Sequence, residues 1–135
     1  HSVPSLFRQL CLGGGHFPSV RVIRLEGDKA APGDVVLHKR HFSPECVLAN
    51  GLGATETGIV RRYFIDHGME VSGGVVPIGY PVEDMDVLVL DEAGAEVDRG
   101  EAGEIAVRSR HLATGWLPGA PWPKGFPDQD PGPHN

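Results

Sequence analysis

Cys46-Val47-Leu48-Ala49-Asn50-Gly51-Leu52-Gly53-Ala54-Thr55-Glu56-Thr57-Gly58-Ile59-Val60-Arg61-Arg62-Tyr63-Phe64-Ile65 is the stretch on which the fold turns. Its first four residues are an apolar run of the kind that buries as a strand, and its last seven are rich in β-branched and aromatic residues, a second strand. The nine residues between, 50–58, read as a glycine-rich turn. Glycines there let the backbone approach a ligand and adopt positive φ. Thr55 offers a hydroxyl and Glu56 a carboxylate side by side, a pairing suited to a phosphate and its magnesium ion. An ordinary Gly/Asn turn with a polar tip fits the local pattern equally well.

Working outward, Ser19-Val20-Arg21-Val22-Ile23-Arg24-Leu25 forms a strand that ends at the turn Glu26-Gly27-Asp28. A helix follows, with Pro32 in its first turn, an apolar face of Val35, Val36, Leu37 and Phe42, and Pro44 closing it. Strand, helix, strand over about thirty residues is a βαβ unit, which makes the two strands parallel neighbours with a right-handed crossover. Ligands of open α/β sheets bind at the carboxyl ends of the strands. Both turns lie at such ends, so residues 26–28 and 50–58 are expected side by side. Upstream, Pro4-Ser5-Leu6-Phe7-Arg8-Gln9-Leu10-Cys11-Leu12 reads as a short amphipathic helix with Leu6, Phe7 and Leu10 inward. Downstream, residues 72–81 form a loop whose apolar residues pack down. Asp86-Val87-Leu88-Val89-Leu90 and Glu104-Ile105-Ala106-Val107-Arg108 are strands. The fold class is therefore α/β, a parallel βαβ portion followed by antiparallel β hairpins. Residues 1–70 make the α/β part with its Thr-Glu turn, 71–117 a β-rich part, and 118–135, proline-rich, a tail expected to be poorly ordered.

Composition narrows the function. The chain has 135 residues, of which 40% are hydrophobic, enough for a small core. No apolar run approaches the roughly 20 residues of a membrane helix, so no membrane partner is expected. Residues 1–65 carry eight Lys/Arg against five Asp/Glu, residues 66–135 four against thirteen. An acidic second half is the wrong footprint for nucleic acid. Two cysteines without metal spacing point to a reducing, cytoplasmic setting. His38 and His41, at i and i+3 on the helix, lack a third ligand and read as an exposed helix face. His1 opens the sequence without a signal-peptide pattern, as an internal segment would.

Several stretches together resemble the adenylate-forming (AMP-dependent synthetase/ligase) superfamily, and within it the adenylation domains of nonribosomal peptide synthetases. Asn50-Gly51-Leu52-Gly53-Ala54-Thr55-Glu56 resembles the motif Asn-x-Tyr-Gly-Pro-Thr-Glu, and Ile78-Gly79-Tyr80-Pro81 the Gly-x-Pro turn after it. Asp91-Glu92-Ala93-Gly94 and Gly100-Glu101-Ala102-Gly103-Glu104-Ile105 are similar to the family hairpin. Leu112-Ala113-Thr114-Gly115-Trp116 is similar to Leu-Ala-x-Gly-Tyr. The order and spacing agree from about Val20 to Trp116.

This resemblance implies an ATP-dependent, AMP-forming ligase that activates a carboxylic or amino acid as an acyl-adenylate, with ATP/AMP and Mg as cofactors. It implies a nucleotide site of Glu26, Gly27, Asp28, Asn50, Gly51, Leu52, Gly53 and Thr55. Glu56 would hold magnesium, and Gly51, Ile59 and Val60 would line the acyl pocket. The implied partners are the nucleotide, the acid, the rest of an adenylation domain and a carrier protein. Leu52 stands where the family has its adenine-stacking tyrosine, which forfeits about 1 kcal/mol of aromatic contact, and Ala54 stands for proline. The family's phosphate loop with its lysine, its Thr-Gly-Asp aspartate and its C-terminal lysine have no counterpart in the sequence. The implied state is an internal fragment, inactive alone. The alternative is a non-catalytic scaffold or interaction module derived from an adenylation domain. An unrelated nucleotide-binding domain lacks its fingerprint, since neither a Walker nor a dinucleotide motif occurs.

Overall fold

A computed structural model describes residues 1–113 of the chain. In order, it contains helix α1 (Pro4–Leu12), strand β1 (Val22–Leu25), helix α2 (Pro32–His41) and the strands β2 (Val47–Ala54), β3 (Gly58–Ile65), β4 (Tyr80–Pro81), β5 (Asp86–Leu90) and β6 (Glu104–Arg108). The first four strands form one sheet in the order β1-β2-β3-β4, and β5 and β6 a separate antiparallel hairpin. As the βαβ reading requires, β1 and β2 are parallel, with Leu25 beside Asn50. β3 and β4 then add antiparallel. The expected tail at 118–135 lies outside the described residues, as do Thr114, Gly115 and Trp116.

One face of the sheet makes the core. Ile23 and Leu25 of β1, Leu48 of β2 and Ile65 of β3 share it, since side chains alternate along a strand. They meet Phe7 and Cys11 of α1, Val35 of α2, and Phe42. Phe42 stacks between Phe7 and Phe17, with ring centroids 5.9 and 5.0 Å away. Each large apolar side chain so buried contributes roughly 1.5–3 kcal/mol.

The helices begin where proline predicts, but their inner faces differ from the sequence expectation. On α1 the inward pair is Phe7 and Cys11, one turn apart, while Leu6 and Leu10 are exposed. On α2 the buried residues are Asp34, Val35 and His38, and Val36 faces outward. Periodicity alone ranked greasy residues first; the buried face was settled by two polar side chains that found partners.

His38 is thus not on an exposed face but fully buried. Its Nε2 lies 3.0 Å from the Cys46 carbonyl, which only accepts, so Nε2 carries the proton and donates. The ring packs edge-on against His67 at 4.6 Å between centroids. His38 Nδ1 and His67 Nε2 are buried without a partner among the described residues. Burial pushes the His38 pKa below its ordinary 6.5. The Cys46 carbonyl opposes that shift, and the neighbouring His67 and Lys39 reinforce it. A base with a depressed folded pKa binds more protons unfolded, so its stabilisation is whole above about 6.5 and lost as pH falls below it. The urea midpoint should therefore stay level from pH 8 to 7 and decline between 6.5 and 5. A midpoint unchanged over that lower window would mean that His38 titrates freely.

Candidate functional site

The site follows from unequal strand lengths. β1 stops at Leu25 because Gly27, at φ +84°, turns the chain aside. β2 runs on to Ala54, four residues past the register partner of Leu25, which is ~13 Å of strand at ~3.3 Å per residue. Residues 50–54, read above as turn, are thus strand. Pairing with β3 imposes that geometry on a glycine-rich segment of low intrinsic strand preference. The turn proper is residues 55–57. A bulge between Leu52 and Gly53 leaves Val60 as the extra residue on β3. Only glycine fits at position 53, because a β-carbon there would lie 2.3 Å from the Gly58 carbonyl oxygen.

Beyond the end of β1 opens a cleft of about 420 Å³, lined by residues 27–30, residues 50–53, Val75, Val76 and Ile78. It lies at the carboxyl ends of two parallel strands, where such sheets bind ligands, and its size suits a small molecule. Asn50 holds it together. Its buried Nδ2 donates to the carbonyls of Val76 (3.2 Å) and Pro77 (2.9 Å). The Val76 N–H in turn donates to the Ala30 carbonyl at 3.1 Å. The Asn50 amide therefore ties β2 to the third wall, and the Val76 backbone ties that wall to the first.

Of the residues singled out from sequence, Gly27, Asp28, Asn50, Gly51, Leu52 and Gly53 come together in this cleft. Glu26 does not line it. The alternation after Leu25 turns its side chain to the opposite sheet face, against Gly51. Thr55 and Glu56 sit farther out, on the tip of the β2-β3 hairpin. There the Thr57 hydroxyl accepts from the Ala54 N–H (3.1 Å) and donates to the Gly58 carbonyl (2.9 Å), shaping the turn. Thr55 is exposed and Glu56 partly so. Chain from far downstream reaches the same tip, since the Ala113 N–H donates to the Glu56 carbonyl at 2.8 Å. Ile59 pairs with Gly53, and Val60 is buried. Neither lines the cleft. Among the described residues no three His, Cys, Asp or Glu side chains gather as a metal cage. Cys11 and Cys46 are free, buried, and pushed up in pKa by that burial, which leaves them inert as nucleophiles.

The sequence reading missed Val75 and Ile78. They stand partly exposed beside the cleft while Val76 between them is buried. The signal was present as an apolar run between glycines, Gly73-Gly74-Val75-Val76-Pro77-Ile78-Gly79. Nothing local says which of its residues turn outward.

Residues 1–117 match the family model described as AMP-binding enzyme. The chain is similar to the D-alanine–D-alanyl carrier protein ligase of Bacillus velezensis, 30% identical over 122 residues, covering 86% of this chain and 24% of that protein. It is also similar to nonribosomal peptide synthetase 30 of Fusarium vanettenii, 32% identical over 92 residues, covering 67% of this chain and 2% of that protein. Among solved structures, PA1221, a nonribosomal peptide synthetase protein containing adenylation and PCP domains, superposes with a TM-score of 0.67 at 31% identity, over 84% of this chain and 23% of that one. The N-terminal subdomain of Klebsiella oxytoca NpsA, in complex with 3-hydroxybenzoyl-AMSN, has the same fold, with a TM-score of 0.66 at 24% identity over 84% of this chain and 28% of that one. The chain thus spans between 2% and 28% of the length of these four proteins. No helix among the described residues is long and apolar enough to cross a membrane.

Proposed function

This chain belongs to the AMP-binding enzyme family, and on that premise we propose that it supplies one wall of the active site of an ATP-dependent, AMP-forming ligase. The reaction is attack of a carboxylate oxygen of a carboxylic or amino acid on the α-phosphorus of ATP. The bond to the bridging oxygen breaks, pyrophosphate leaves, and the acyl-adenylate remains. Catalysis of this kind is chiefly positioning and charge neutralisation.

The observation that carries the reading is the cleft between residues 27–30, the outer half of β2 and the loop at Val75 to Ile78. A flat purine fits between Leu52 and the apolar edges of Val75 and Ile78, with the backbone of Gly27 and Asp28 at its rim. From there the hairpin leads outward to Thr55, whose hydroxyl would donate to an α-phosphate oxygen. Glu56 beside it suits magnesium, an ion commonly held by one or two carboxylates together with the substrate phosphates. When bound, that ion would supply charge neutralisation for the triphosphate. Gly51, Ile59 and Val60 would border the acyl group. The acceptor that takes the acyl group is a carrier-protein thiol in this reading. Groups that neutralise the triphosphate from the other side would come from the rest of an adenylation domain, so the chain is a portion of the enzyme and inactive alone.

Calorimetry on the chain with ATP and magnesium tests the wall directly. Loss of a hydrogen bond to a charged group costs about 1.5–3 kcal/mol, so Thr55→Ala should weaken binding by about tenfold or more. Absence of heat at millimolar ATP would favour a scaffold over a nucleotide site.

A further inference from the structure

The loop from Asp66 to Gly79 joins β3 to β4, and its second half is the third wall of the cleft. Its first half is clasped to α2. Lys39 Nζ donates to the Met69 carbonyl at 2.7 Å, and Met69 and Val71 pack against the core. Asp66 Oδ1 accepts the N–H groups of Gly68 (2.8 Å) and Met69 (2.9 Å), folding this stretch into a turn. His67, on that turn, meets His38 edge-on, the ring planes at 76°. Only the exposed Ser72, Gly73 and Gly74 lie between the clasp and Val75, so the clasp fixes where the wall begins. At the contact, His38 Nδ1 and His67 Nε2 are both shut off from solvent and unpartnered among the described residues. Their surroundings offer a proton no counter-charge. From α2 come the Lys39 ammonium and, one turn earlier, Asp34, whose carboxylate Arg8 and Ala31 already hold. From the start of β2 come the Cys46 carbonyl, already accepting from His38, and an un-ionised thiol. From the loop come Asp66 and Glu70, both exposed. Among the described residues, the histidines with a carboxylate in ion-pair reach are His1 and His111, not these two.

We propose that the His38-His67 contact is an acid-released latch: proton uptake by the pair frees the first half of the loop from α2 and so loosens the third wall of the cleft. The reason is an asymmetry of cost. While both rings are neutral, each leaves one buried nitrogen unpaired. Once one is protonated, the contact holds a buried charge with neither counter-ion nor acceptor, beside the Lys39 ammonium. Burying such a charge costs far more than burying a neutral polar group. Imidazole is the side chain whose ordinary range puts this change between pH 5 and 8. The strain is relieved at His67, which is half-buried and carried on a loop, rather than at His38, which is fully buried on a helix. With the clasp open, the free chain leading to Val75 lengthens from residues 72–74 to residues 66–74. Each doubling of a loop lowers the chance of closing it by about threefold. Asn50 still grips Val76 and Pro77, so the wall loosens rather than detaches. The consequence for binding rests on the nucleotide reading of the cleft; the latch itself rests on the loop's own contacts.

The test is backbone hydrogen exchange in the full-length protein that carries this chain, at about pH 7.5 and about pH 5.5, corrected for the intrinsic pH dependence of exchange. In acid, protection of the Met69 N–H should fall by about tenfold or more. That of the Val76 N–H, which donates to the Ala30 carbonyl, should fall by about threefold or more. The β2-β3 ladder reports global opening and should lose less than either. His67→Phe keeps an edge-on ring that cannot take a proton, and there both losses should shrink to within about twofold. Adenosine, whose charge is constant over this range, should bind about threefold more weakly in acid to the unaltered protein and equally at both pH values to His67→Phe. Equal protection of Met69 at the two pH values, or a rise in acid such as a proton shared between the rings would give, overturns the latch whether or not the variant folds. So does a loss that persists in His67→Phe or only follows the ladder. Adenosine bound at neither pH overturns the nucleotide reading, and the exchange result then decides the latch by itself.

Discussion

Gly79→Ala should be the most damaging glycine-to-alanine change among the described residues, lowering stability by about 3 kcal/mol or more. Two separate penalties meet at this position. Its φ of +70° lies in the left-handed region, which costs an alanine about 1–2 kcal/mol. The added β-carbon would also lie 2.0 Å from the Arg62 carbonyl oxygen and 2.7 Å from the Tyr63 Cα. Those atoms are main chain in the middle of β3, held by β2 on the other side, so they cannot swing away as a side-chain tip would. The Gly79 carbonyl is itself engaged, accepting from the Arg61 guanidinium. β4 starts at the next residue, and the wall of the cleft ends at the preceding one. A domain of this size loses roughly 4 °C in Tm per kcal/mol, so a loss of about 3 kcal/mol should lower the melt by about 10 °C or more. Gly74→Ala is the control, in the same loop with negative φ and open space where the β-carbon would go. It should shift stability by no more than about 0.5 kcal/mol. Two variants with equal melts would mean that the loop does not press on β3.

Asp34→Ala should cost about 2–3 kcal/mol. Asp34 is 1% exposed and does two jobs at once. Its carboxylate takes a two-pronged grip from Arg8, Nε to Oδ1 and Nη2 to Oδ2, both at 2.7 Å. It also accepts the free N–H of Ala31 at the start of α2, at 2.8 Å. Removing one partner of a buried pair costs roughly 3–5 kcal/mol. The lower figure applies because the Arg8 side chain is 39% exposed and regains water when released. Asp34→Asn separates the two jobs, since an amide oxygen still caps the helix while the charge pair is gone. It should recover about 1 kcal/mol, the worth of a cap. Chemical denaturation of the three proteins gives all the differences needed. If alanine and asparagine variants unfold together at the native midpoint, α1 is not tied to α2 through this carboxylate.

Neither prediction was legible beforehand, and the reasons differ. Arg8 and Asp34 stand 26 residues apart, so no spacing rule pairs them. Asp34 three residues after Ala31 offers only a hint, because alanine is a poor cap residue. Gly79 was visible as part of a Gly-x-Pro-like turn, but its clash depends on how closely that loop lies on β3. The cleft was half legible. The two strand ends and their parallel order followed from the βαβ pattern, which brought Gly27, Asp28, Asn50 and Gly51 together. Glu26 turned away because a strand alternates, and a turn assigned from its glycine had hidden that last alternating position.

The amino-acid sequence by itself determined the local rules of this protein: prolines where helices start, β-branched runs where β1, β3, β5 and β6 lie, and the crossover that makes β1 and β2 parallel. These depend on steric preferences that each residue carries with it. Only the tertiary structure decided that residues 50–54 are strand, that His38 is buried, and that Thr55 and Glu56 stand on a hairpin tip beyond the cleft. Each of those outcomes depends on a partner outside the segment itself, β3 for the first and last and Cys46 with His67 for the second. A hydrogen bond or a packed ring that such a partner supplies outweighs the weak preference of a glycine for turns or of a histidine for water.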